Sequence, residues 1–214
     1  MTDQPSSPFD ILQQQVEKQN LSLDTDWCGF DEIYPYLEMM TLDGWVTCLT
    51  CDPLTNEPAY TFNLSPGSAG TEPMTGYAEE RDSMLAQVVA AYLVTLPANH
   101  AVPTTQPWDP QPTELQARAM MTLAQIQGIP MSMYWHGVND LWPLIEAVRD
   151  DGCSLFLKFD GQRNRNQMTL LIYGGALGDV RLRRDGDNLL DTLVQLMLDY
   201  AGVVPPRYRT NPSY

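Results

Sequence analysis

With 214 residues, 43% of them hydrophobic, and a formal net charge of −15, the chain has the composition of a folded soluble protein. No apolar run approaches the roughly 18 residues that a membrane span requires. The negative field repels nucleic acid and acidic membranes and speeds encounter with basic partners, so neither direct nucleic-acid binding nor membrane association is expected, although acidity serves solubility as well.

The first residues, Met-Thr-Asp-Gln-Pro-Ser-Ser-Pro, lack the basic region and apolar core of a secretory signal, which makes a cytoplasmic address the expectation. The cysteines Cys28, Cys48, Cys51 and Cys153 are then expected as reduced thiols. Cys48-Leu-Thr-Cys51 has the CxxC spacing, but it lies in a β-prone run where positions three apart face opposite sides of a sheet. Only His100 and His136 could add nitrogen ligands, so no metal and no cofactor is expected.

In chain order, Ser7-Pro8-Phe9-Asp10 opens a helix to about Gln19, with a capping Ser, Pro at the first helical position and an apolar stripe of Phe9, Leu12 and Val16. Leu21 to Trp27 alternates as a strand would. A helix follows from near Glu32, a start chosen so that Pro35 falls in the first turn, and Asp43-Gly44 closes it. Trp45 to Cys51 and Ala59 to Leu64 form a hairpin, residues 65–77 read as a flexible loop, and Leu85, Val88, Val89 and Tyr92 stripe a long helix. A Pro- and Thr-rich linker runs from Asn99 to Pro112.

The same order then recurs. Thr113-Glu-Leu-Gln116 is a capping box opening a helix that Gly128 stops, and Ile129 to Trp135 reads as a strand. A helix from near Asp140 contains Pro143. Cys153 to Asp160 pairs with the strand carrying Met168, Leu170 and Ile172, Asp179 to Arg184 is a third strand, and the last helix carries Leu189, Leu193, Leu196, Met197 and Tyr200. One offset of 108 residues places Trp27 on Trp135, Pro35 on Pro143, Glu38 on Glu146, Asp43-Gly44 on Asp151-Gly152, Leu49 on Leu157 and Tyr92 on Tyr200. Agreement in one register across several elements indicates a tandem duplication, with one copy in 1–103 and the other in 104–214. Each unit is helix, strand, helix, hairpin with or without a third strand, helix. The expected class is α+β, helices against a mainly antiparallel sheet, with the copies about a pseudo-twofold axis, either as a monomer with an internal pseudo-dimer or as a homodimer.

The copies differ in charge. Residues 1–103 carry 15 acids against Lys18 and Arg81, a net −13, whereas 104–206 carry 12 acids against eight bases, a net −4. A non-catalytic module that docks on a basic protein partner follows from that split, as an inhibitor, immunity-type antagonist, nucleic-acid mimic or chaperone would. Asp24, Asp26, Asp31, Glu32, Glu57, Glu79 and Glu80 are its candidate contact residues. The alternative is a small anionic ligand or nucleotide bound between the copies and read by Arg163, Arg165, Arg181, Arg183 and Arg184, although neighbouring acids compete for these arginines. Catalysis is not expected. Cys153, His136 and Asp140 are the one nucleophile set close in sequence, and their 108-shifted counterparts at the first two positions are Trp45 and Cys28. Gly174-Gly175-Ala-Leu-Gly178 lacks the Lys-Ser/Thr of a phosphate loop. The aromatic residues, Trp142 and Tyr34 among them, serve as core anchors or as a recognition patch.

Overall fold

The computed structural model describes residues 8–18, 29–53, 58–66, 72–96, 111–132, 135 and 137–204. These form six helices and one six-stranded antiparallel sheet. The order is α1 (Pro8–Lys18), α2 (Phe30–Leu42), β1 (Val46–Cys51), β2 (Tyr60–Ser65), β3 (Met74–Ala78), α3 (Arg81–Thr95), α4 (Glu114–Ile126), α5 (Gly137–Asp150), β4 (Cys153–Asp160), β5 (Met168–Gly174), β6 (Arg181–Gly186) and α6 (Leu189–Val203). Across the sheet the strands run β3-β2-β1-β4-β5-β6. The class is therefore α+β, and β1 against β4 joins the two halves of the chain into a single sheet.

The strand alternation explains which face the helices cover. Thr47, Leu49 and Cys51 of β1, Tyr60, Phe62 and Leu64 of β2, Leu155, Leu157 and Phe159 of β4, and Met168, Leu170 and Ile172 of β5 are all buried. In one row Gly76, Phe62, Leu49, Leu157, Leu170 and Arg184 lie side by side from edge to edge. The helices bring Leu37, Met40, Leu85, Val88, Leu141, Ile145, Leu193 and Met197 onto that face, each at most 1% exposed. At roughly 1.5–3 kcal/mol for each large apolar side chain buried, this layer supplies the main driving force for folding.

Four sequence expectations are corrected here. Residues 129–132 form no strand. Ile129 N–H instead bonds Ala124 C=O at 2.8 Å to close α4, and Pro130 has no N–H for a ladder. The counterpart at Leu21 to Trp27 lies outside the described residues. The expected loop contains β3, because Phe62 places a ring carbon 2.2 Å from where a Cβ at Gly76 would sit, so glycine is what lets the strands close together. Finally, α2 and α5 begin at Phe30 and Gly137, earlier than expected, and Pro35 and Pro143 lie inside them. Their first turns are completed from outside each helix.

Candidate functional site

Where the N-termini of α2 and α5 meet, each helix caps the other. Asp31 of α2 accepts the N–H of Val138 at 2.8 Å and of Asn139 at 3.0 Å, while Asn139 of α5 accepts the N–H of Phe30 at 2.7 Å. Asn139 also donates its amide to Glu32 at 3.2 Å. Helix N-termini leave unpaired donors that a nearby Asp or Asn oxygen satisfies, and here the oxygens come from residues about 108 positions away. Gly29 and Gly137 allow the approach, since a Cβ at either would lie 2.5 Å from a capping oxygen and both have positive φ. Burial pushes the Asp31 carboxyl up to about 6, over the opposing effect of its two backbone donors, and Glu32 and Asp140 add repulsion.

Beside this junction opens a cleft of about 450 Å³ lined by Tyr60, Glu79, Glu80, Arg81, Asp82, Trp142, Glu146 and Arg149. It continues past Arg81, Trp142 and Glu146 into a second hollow of about 530 Å³ over Ile129, Pro130 and Pro143. Residues of β2 and α3 thus face residues of α5 across one groove. Glu146 is its hub. It accepts from Tyr60 at 2.8 Å and from Trp142 Nε1 at 2.8 Å, and pairs with Arg149 Nη1 at 2.7 Å. Arg149 is 2% exposed. Its Nε donates to the Asp52 carbonyl at 2.7 Å, its Nη1 reaches the Tyr60 hydroxyl, and its Cζ sits 4.3 Å above the Tyr60 ring. Among the described residues its Nη2, fully buried, has no acceptor. Arg81 lies over Trp142 at 4.8 Å and pairs with Asp82 at 2.6 Å. Burial, then bonding to Glu146, raises the Tyr60 hydroxyl pKa, so the phenol stays protonated.

The described lining of the cleft supplies carboxylates, two guanidinium groups, a phenol and an indole. Cys51 lies close by, but it is fully buried and burial pushes its thiol up to about 12, so a thiolate is not formed near neutral pH. Cys48 is on the opposite, half-exposed face of the sheet, and among the described residues no group of three His, Cys, Asp or Glu is placed to hold a metal.

The expected contact acids separate into three groups. Glu79 and Glu80 are exposed on the rim of the cleft. Asp31 is buried as a cap and Glu32 is half-buried beside it. Asp24, Asp26 and Glu57 lie outside the described residues. The five expected anion-binding arginines lie toward the other end of the sheet. Arg163 pairs with Asp160 at 2.9 Å, Arg183 with Asp185 at 2.9 Å and Arg184 with Asp199 at 2.5 Å, while Arg165 and Arg181 are exposed. Sequence reasoning missed Arg149 and Arg81. An arginine between Ala147-Val148 and Asp150-Asp151, on the apolar stripe of a helix, was the available signal. No protein-family model, curated protein or solved structure matches the chain.

Proposed function

We propose that the chain is a non-catalytic binding protein, two copies of one α+β unit fused about a pseudo-twofold axis, whose acidic first copy takes a basic segment of a protein partner at the Glu79–Glu80 cleft. Support for the duplicated frame comes from the β1–β4 register, in which Leu49 lies opposite Leu157 and Cys48 opposite Lys158, so that pairing steps outward evenly about two positions 108 apart. Tyr92 bonds Asp43, and Tyr200 bonds Asp151, through the same 49-residue separation. The observation that carries the binding reading is the rim. Within the groove Arg149 pairs with Glu146 and Arg81 with Asp82, and exposed Glu79 and Glu80 on the rim are left to suit lysine or arginine side chains by charge.

The test is affinity capture from cells that make the protein, with a salt gradient for elution and a Glu79→Lys/Glu80→Lys variant as a second bait. Recovery of basic proteins by the native bait alone, released early in the gradient, is expected. Identical recovery by the two baits would exclude this rim as the docking site.

Arg149 favours a second reading, in which a small anion enclosed between the copies accepts from its Nη2, a donor with no acceptor among the described residues. Inorganic phosphate at a hundred times its Kd would then stabilise the fold by about 2.7 kcal/mol in a thermal-shift titration. An unchanged melting point across the titration excludes it.

A further inference from the structure

The two edges of the sheet are finished differently. β6 carries Arg181, Arg183, Arg184 and Asp185 among its six residues, with Arg183–Asp185 and Arg184–Asp199 pairs along it. Charged side chains of this kind are how natural sheets resist the addition of a further strand. β3, at the opposite edge, reads Met-Thr-Gly-Tyr-Ala, with no charge and no proline, and among the described residues no strand pairs with its outer side. Its Tyr77 is 71% exposed, a large side chain ready for a cross-strand neighbour. Exposed acids stand at both ends, Glu72 before the strand and Glu79 and Glu80 after it, roughly 23 Å apart in extended chain. The last of these acids open directly onto the cleft.

We propose that β3 takes an extended, basic segment of the partner protein as a seventh strand, and that the segment continues past Glu79 and Glu80 at the rim of the cleft. The inference rests on the acidic-docking reading and adds how the partner is held. Main-chain pairing to the edge supplies affinity without demanding a particular sequence, while lysines or arginines spaced to meet Glu72 and Glu79 set register and direction. The chemistry selects an extended, positively charged peptide.

The test uses the full chain and a labelled ten-residue peptide of alternating lysine and valine, compared by fluorescence anisotropy with the same peptide methylated on every backbone nitrogen. Charge is equal in the two probes, and only the first can donate main-chain hydrogen bonds to the edge. The unmethylated probe is expected to bind at least tenfold more tightly, and Thr75→Lys/Tyr77→Lys, which places cations on the edge at two exposed positions, is expected to remove that advantage while leaving the circular dichroism spectrum unchanged. Equal binding of both probes, lost in Glu79→Lys/Glu80→Lys, overturns strand addition and leaves acidic docking intact. Failure of both probes to bind overturns both. Sedimentation showing a dimer that Thr75→Lys/Tyr77→Lys dissolves would make a second copy of this chain the occupant and overturn the choice of partner.

Discussion

Asp31 and Asn139 occupy matching places on α2 and α5, and each caps the other's helix, yet one is an acid and the other its neutral isostere. Asp31 accepts two N–H groups and is pushed up to about 6 by burial; Asn139 accepts one and spends its amide on Glu32. The comparison teaches that the junction is closed by side-chain oxygens on both sides, two from Asp31 and one from Asn139. A similar lesson holds at the edges of the sheet. Shifted by 108 residues, Gly76 of β3 falls on Arg184 of β6, and the uncharged edge strand belongs to the half with the larger net negative charge.

Several substitutions would break or sharpen this comparison. The largest effect is expected from Asp31→Ala, which strands two buried donors at the start of α5 and should cost about 3 kcal/mol in urea unfolding. Asn139→Ala, with one cap lost, should cost about half as much. Asp31→Asn keeps one accepting oxygen and turns its NH2 toward the other N–H, so it should cost about as much as Asn139→Ala; a loss as large as that of the alanine variant would mean the charge itself is required.

The same residue sets a pH dependence. Its folded pKa stands above the unfolded value near 3.8, so the folded state binds the proton more tightly. The contribution to stability is complete below pH 3.8 and is lost as pH rises through about 6, a change on the order of 2 kcal/mol. Unfolding free energies measured across that window should show the decline in the native protein, and Asp31→Asn should flatten it.

Smaller and more symmetric losses are expected for Tyr92→Phe and Tyr200→Phe, each about 1 kcal/mol, since both remove a phenol bond to the Asp that ends a helix. Unequal losses in thermal unfolding would argue that the two halves do not share a frame. Least affected in stability should be Glu79→Lys/Glu80→Lys, within about 0.5 kcal/mol, because both side chains are exposed. Its effect belongs to binding.

Much of the fold was legible because it is written locally. The Thr113–Gln116 capping box appears in the structure with both of its reciprocal bonds, and the hairpin strands of 153–160 and 168–174 follow their period-2 patterns. Local signals failed where the physical cause lies far along the chain. The caps of α2 and α5 come from the opposite helix, so the early starts of these helices, with Pro35 and Pro143 inside, had no sign in their own turns. β3 was hidden because Gly76 looks like loop composition until Phe62 is seen to occupy the missing side chain's space. At the site, Glu79 and Glu80 could be named from charge alone, but Arg81, Arg149 and Trp142 come together only through the packing of α3 and α5 beside β2.

The central claim, that the acidic half is the binding half, is tested most directly by titrating the lysine–valine peptide against three proteins over a range of salt. These are the native chain, Glu79→Lys/Glu80→Lys, and Glu114→Lys/Asp179→Lys, which reverses two exposed acids of the second half. Binding that falls with salt in the native chain, disappears with the first pair and survives the second is the predicted result. Equal weakening by both pairs would mean that the peptide senses only total charge, and would contradict a docking site on the first half.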